Sequence, residues 1–280
     1  MGFPTNHYSL SDPTYRLLTD LIYGASGLKF EASSKFMISR RIGARLEHLG
    51  LDSFEDYLSY LLYHRNRDTE MDTLFDVITT HETYFFREDR QLRAFSEEIL
   101  PELLEARKQF RTLRIWSAGC SSGEEPYTIA ILCRQYPGLQ NWNVNIFASD
   151  ISQHMVQAGR RGIYGESSFR NTPGKVRIEY FEKTEDGLYR IKNEIKQMVT
   201  FIKLNLIDEK RAGIFGEMDV IFCRNVIIYF DATAKKKVIE FFFHKLRKDS
   251  YLLLGHSESL MNISTRFKLR HLKNDLVYQK

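Results

Sequence analysis

The sequence predicts an α/β domain, a parallel sheet wrapped by helices, preceded by an all-α segment and interrupted by a small β-insert. Three observations predict it. From Arg111 onward, short apolar runs alternate with helical stretches, the rhythm of strand-helix-strand units. Before about residue 90 only helical periodicity occurs. Between about 176 and 199 a β-rich stretch breaks the alternation. The expected division is therefore a helical part over 1–90 and an α/β part over 91–280, with the insert at 176–199.

Each element has its own signal. In SFEDYLSYLL, Phe54, Tyr57, Leu58, Leu61 and Leu62 fall on one helix face, with Ser53 as N-cap. In SSKFMISRRIGARLEHLG, Ile38, Ile42 and Leu46 line one side and Gly50 is a natural C-cap. Then LRIWSAG reads as a strand, EEPYTIAILCRQY as a helix, WNVNIFASD as a strand and SQHMVQAGRRG as a helix. MDVIFC opens a further strand, ATAKKKVIEFFFHKLRK is a helix and SYLLLG a strand. FKLRHLKNDLVYQK closes the chain as an antiparallel hairpin around Lys273 and Asn274. The interrupting stretch reads as strand over residues 189–206, after a turn at Asp186-Gly187.

Composition narrows the classes. The chain has 280 residues, 43% hydrophobic and 27% charged, with a net charge of +4, which is too little for a dedicated nucleic-acid binder. Cys120, Cys133 and Cys223 form no C-x-x-C pair, so neither a disulfide framework nor a metal site is expected. No apolar run reaches a membrane span, and the opening MGFPTNHYS lacks a signal-peptide pattern. Asn6 stands where a myristoylation signal wants Ser or Thr. The expectation is a cytoplasmic monomer without membrane insertion or nucleic acid.

The chemistry concentrates in RIWSAGCSSGEEPYTIA. A strand runs into Gly119 and then into a helix, the outline of a nucleotide-binding turn. Yet G-x-G-x-x-G is absent and no P-loop Lys follows. Asp150 ends the next strand, in FASD, where an acceptor-only carboxylate suits a pair of ribose hydroxyls. Glu124 and Glu125 at the helix start would repel a phosphate but suit an ammonium or sulfonium group, and S-adenosylmethionine (SAM) carries both. A simpler reading stays open, since acids at a helix start also favour its dipole.

Other polar residues are candidates by position. In TTHETYFFRED, Thr83 and Arg87 share a face if the segment is helical, although Phe85 and Phe86 read as core. In DVIFCRNVIIYF, Arg224 and Asn225 follow a strand, ahead of Tyr229, and no Asp/Asn-Pro-Pro-Tyr motif for base amines appears. GHSES could place His256, Ser257 and Glu258 near the site, but it is not a G-x-S-x-G elbow.

Together, TTHETYFFRE, IWSAGCSSGEEPYTIA, IFASDIS, the Asn205-Leu206 pair and IFCRNVIIYFD resemble the chemotaxis receptor methyltransferases, the CheR family. The similarity spans nearly the whole chain in the family's order. It implies a Rossmann-like SAM-dependent methyltransferase domain, with a β-insert and an all-α N-terminal domain. The implied activity is protein-glutamate O-methylation on the cytoplasmic coiled coil of chemoreceptors, with S-adenosylhomocysteine as product and no metal. The implied ligand contacts are His81, Thr83, Arg87, Gly119, Glu125, Asp150, Asn205, Leu206, Arg224 and Asn225. Arg87 and Tyr229 are expected also to orient the reacting groups. His81 departs from the family, which usually has Asn there.

The resemblance also places receptor recognition partly on the N-terminal domain, giving Arg40, Arg41 and Arg45 a role in steering toward glutamate-rich surface. In some members the insert docks a receptor C-terminal peptide by adding a strand. Two rivals share these residues: a same-fold enzyme acting on another carboxylate, and a non-catalytic SAM-binding adaptor. A dinucleotide dehydrogenase does not fit the turn.

Overall fold

The computed structural model describes residues 8–208 and 216–280; Asn6 of the opening segment lies outside the described residues. The chain divides into two units, Met1–Thr80 with Tyr229–Asp231, and His81–Ile228 with Ala232–Lys280.

Among the described residues the first unit carries four α-helices, Asp12–Ser26, Lys35–Leu49, Phe54–Tyr63 and Arg67–Ile78. Ser53 Oγ accepts the Asp56 N–H at 3.1 Å as the expected N-cap, and Gly50 closes its helix at φ 65°. Ile38, Ile42 and Leu46 are fully buried, with Phe54, Tyr57 and Leu74 beside them in the core. The segment 229–231 belongs here. The Tyr229 carbonyl accepts the Lys29 N–H at 2.9 Å, and the Tyr23 hydroxyl donates to Asp231 at 3.0 Å.

The expected basic face on Lys35–Leu49 needs correction. Arg45 donates to both oxygens of the buried Glu70, at 2.9 and 2.6 Å, and the Tyr57 hydroxyl adds a third bond at 2.8 Å. Arg41 donates to the carbonyls of Ile78 and Thr79 at 2.7 and 3.0 Å, closing the C-terminal end of Arg67–Ile78. The reason is helical geometry. Arg41 and Arg45 stand three residues beyond Ile38 and Ile42, so they border the buried stripe and lie within reach of neighbouring helices. Of the three arginines, only Arg40 is exposed.

The second unit is built on a seven-stranded sheet. Its strands are β1 (Thr112–Ala118), β2 (Asn143–Asp150), β6 (Val199–Lys203), β7 (Met218–Cys223), β8 (Leu246–Leu254), β9 (Lys268–His271) and β10 (Leu276–Gln279). The order is β6-β2-β1-β7-β8-β10-β9; the first five are parallel, and β10 runs antiparallel to β8 and β9. All six residues of β7 are buried, as a strand covered on both faces requires. Helices Glu124–Gln135, Gln153–Arg161 and Ala232–Lys245 follow β1, β2 and β7. From β1 the chain steps outward to β2 and β6, then returns to β7 on the other side. The order therefore reverses between β1 and β7.

The insert is a second sheet, β3 (Ile163–Tyr164), β4 (Phe181–Lys183) and β5 (Tyr189–Ile191), in the order β3-β5-β4. It differs from the sequence reading in two ways. It begins at Ile163 rather than near Val176, and residues Gly174–Tyr180 are helical because Val176 and Tyr180, four apart, bury one face. The 189–206 stretch is also not one strand. Helix Asn193–Lys196 splits it, and β6 joins the main sheet.

The segment 81–88 is an irregular loop with a turn at Phe85-Phe86 rather than a helix, which corrects the conditional i, i+4 reading of Thr83 and Arg87. Tertiary contacts override local preference. The Phe85 ring lies 4.8, 5.1 and 5.0 Å from those of Tyr164, Phe169 and Phe181. The Phe85 N–H donates to the Ser168 carbonyl at 2.9 Å and that of Phe86 to Thr128 Oγ1 at 3.2 Å. Phe86 and Glu88 adopt φ of 59° and 57°, values such residues seldom take unless held.

Two outcomes follow for stability. Arg45→Ala leaves Glu70 a buried carboxylate short of its cation and should cost about 3 kcal/mol or more in urea denaturation, whereas an exposed steering residue would cost almost nothing. In Gln153–Arg161, Gly159→Ala would gain about 1 kcal/mol in helix propensity. The added Cβ, however, would lie 2.3 Å from the buried Phe201 ring. Overpacking of about 1–3 kcal/mol should win, and the melting temperature should fall.

Candidate active site at the carboxyl edge of the sheet

Most of the expected ligand residues arrive at one edge. Gly119 follows β1, Asp150 ends β2, Asn205 and Leu206 follow β6, and Arg224 and Asn225 follow β7. In a parallel sheet all these positions open on the same side, and the reversal between β1 and β7 leaves a crevice there.

The first turn supplies its shape. Gly119 has φ 80°, and a Cβ there would lie 2.4 Å from Val226 Cγ2, so the turns after β1 and β7 touch only because residue 119 lacks a side chain. The N–H groups of Gly119 and Cys120 both donate to the Ser149 carbonyl, at 2.8 and 2.9 Å. Asp150, buried, accepts the Ser121 N–H at 2.8 Å and the Ser152 N–H at 2.9 Å. Its orientation is set by backbone, so it does not swing to find a partner. Asn205 Oδ1 accepts the Ile207 N–H at 3.2 Å, and Leu206 beside it is buried.

The two glutamates have separate fates. Glu124 is buried against hydroxyls, accepting from Ser122 at 2.7 Å and Ser168 at 3.0 Å, and burial raises its pKa. The sulfonium-facing role considered for it is therefore corrected: it ties the helix start to the insert. Glu125 accepts from Ser117 Oγ at 2.6 Å and from Arg224 Nη1 at 3.2 Å. Burial raises its pKa as well, with the Arg224 guanidinium pulling the other way.

Arg224 is a hub. Its side chain is 3% exposed, and it donates to Glu125, to Glu88 Oε2 at 3.1 Å and to the Arg87 carbonyl at 2.6 Å. Arg87 is half-buried and turns its own guanidinium to the Glu82 carbonyl at 2.7 Å. Thr83 is half-buried, and the carbonyl of His81 accepts from Ser121 Oγ at 3.5 Å. Tyr229 is 39% exposed and groups with the first unit.

Sequence reasoning placed Glu258 near the site with His256 and Ser257 but gave it no role. Its carboxylate accepts four backbone N–H groups, from Gly255 (2.7 Å), Asn225 (2.8 Å), Val226 (2.9 Å) and Ile228 (3.2 Å). Burial raises its pKa against the pull of those four donors. His256, of the same GHSES stretch, pairs with Asp275 at 3.1 Å and is exposed. Glu88 and Ser117 were also passed over; both hold the Arg224–Glu125 pair in place.

Comparison with known proteins fits this arrangement. Residues 81–275 match the family described as CheR methyltransferase, SAM binding domain, and residues 13–79 match CheR methyltransferase, all-alpha domain. A chemotaxis protein methyltransferase of Vibrio cholerae is 35% identical over 98% of this chain and 95% of its own length. One from Borreliella burgdorferi is 39% identical over 87% of each chain, and one from Salmonella typhimurium 35% identical over 95% and 90%. With both parts matched in order, at such identity over most of its length, the chain belongs to the CheR methyltransferase family.

Proposed function

We propose that this protein methylates glutamate side chains on the cytoplasmic coiled coil of chemoreceptors, giving methyl esters in chemotactic adaptation. The observation that carries the reading is Asp150 at the carboxyl edge of the sheet, fixed between two backbone N–H groups. An acceptor-only carboxylate in a set orientation fits the two hydroxyls of an adenosine ribose. Gly119 keeps the approach clear of a side chain. The relatives' names, chemotaxis protein methyltransferase, support the process; the glutamate substrate is our reading.

SAM supplies an electrophilic methyl group on a sulfonium. A substrate glutamate, with reference pKa about 4.3, is ionised at neutral pH and attacks in line without a general base. The protein's task is placement. Asp150, Asn205 and Leu206 hold the adenosine end, Glu125 and Arg224 fix the wall beside it, and Arg87 and Tyr229 orient the reacting groups. His81 and Thr83 complete the lining, with Asn225. Exposed Arg40 draws the substrate's acidic surface, an attraction that salt weakens. A receptor C-terminal peptide would add to the sheet of the insert.

The test is transfer of labelled methyl from SAM to a receptor cytoplasmic fragment and to its Glu-to-Gln counterpart, followed by mild base. Label should enter the Glu form alone and leave as methanol. Label in neither, with S-adenosylhomocysteine still bound, would overturn the substrate assignment. In the same protein, Asp150→Asn should weaken S-adenosylhomocysteine at least about tenfold by calorimetry, since charge-assisted hydrogen bonds contribute about 1.5–3 kcal/mol.

A further inference from the structure

We infer that Glu258 is a positioning residue of the cofactor site, acting through the backbone of the turn after β7; this rests on the methyltransferase reading above. The carboxylate lies on the turn after β8, yet three of its four donors, the N–H groups of Asn225, Val226 and Ile228, belong to the other turn. Backbone N–H groups converging on one anion form a concave nest whose shape the anion sets. Asn225 sits at φ 59°, a conformation Asn tolerates but does not prefer, and the bond from its own N–H to Glu258 holds it there.

What this grip controls is the crevice. Val226, gripped through its N–H at 2.9 Å, is the residue whose side chain Gly119 meets. The turn after β7 is thus the wall on which the turn after β1 rests, and Arg224 is its first residue. The approach of the two turns around Glu258 is tight. A Cβ at Gly255 would fall 2.9 Å from both the Asn225 N and its Nδ2, and 3.0 Å from Glu258 Oε2. Any shift of the carboxylate moves Asn225 and Val226 with it.

A residue that merely keeps the domain folded would change how much protein is active, not how tightly that protein binds. The experiment therefore titrates S-adenosylhomocysteine into the full chain by calorimetry, reading affinity and stoichiometry separately. Glu258→Gln, which sets an amide donor against the converging N–H groups, should weaken binding about tenfold at unchanged stoichiometry. His256→Ala, two residues away and paired with Asp275, should match the wild type. An unchanged Kd, or lost stoichiometry at the wild-type Kd, would overturn the inference. Should Glu258→Gln not fold, Glu258→Asp is read by the same two quantities; if neither folds, the residue is structural and the inference falls. Wild-type protein that does not bind S-adenosylhomocysteine would fail the methyltransferase reading itself, a result distinct from any difference between variants.

Discussion

A guanidinium sealed almost completely from water is the constraint on which the rest of the site depends. Arg224, 3% exposed, is tolerable only because the half-buried Glu88 and Glu125 pair with it and the Arg87 carbonyl takes a further bond. Each partner is equally bound by the arrangement, since either carboxylate alone in that interior would carry an uncompensated desolvation cost. The three come from different parts of the second unit: the turn after β7, the loop 81–88, and the start of helix Glu124–Gln135. A planar fork can serve three directions at once, which a lysine ammonium on a flexible stem does less well. Ion pairing here fixes geometry more than it adds stability.

That constraint explains why the 81–88 segment is a loop and not a helix. Helix would bring Thr83 and Arg87 onto one face but would remove Glu88 from Arg224 and lift Phe85 out of its aromatic cluster. The backbone instead accepts positive φ at Phe86 and Glu88. Strain of this kind persists where surroundings over-determine a residue, and here a buried ring and a buried ion pair lie on either side.

The division between legible and illegible follows the range of the interactions. The positions of Gly119, Asp150 and Arg224 could be read because apolar runs mark parallel strands, and a parallel sheet sends its strand ends to one edge, whereas Asn205 rested on the family resemblance alone. The all-α start was readable from the Ile38, Ile42, Leu46 stripe. What could not be read are partnerships with groups that carry no sequence signal. Glu258 binds backbone N–H groups some thirty residues away, and every residue type but proline offers one. Arg41 likewise ends on carbonyls. Helical spacing marks an arginine as beside a core stripe, but only packing decides whether it turns to solvent or to a neighbouring helix.

Glu124 and Glu125 show how the site handles negative charge. Consecutive residues on a helix point about 100° apart, so one meets the serine hydroxyls of the insert side and the other meets Arg224. Neither is a loose surface carboxylate answering the helix dipole alone. Asp150 and Glu258 are likewise immobilised, by backbone donors. The four carboxylates thus hold their orientations before any ligand arrives. On the proposed reading, a field that needs no reorganisation at the moment of reaction would suit transfer to an already ionised nucleophile. Under that reading the polar contacts go to fixing the walls, because a transfer to carboxylate would need no proton to be moved.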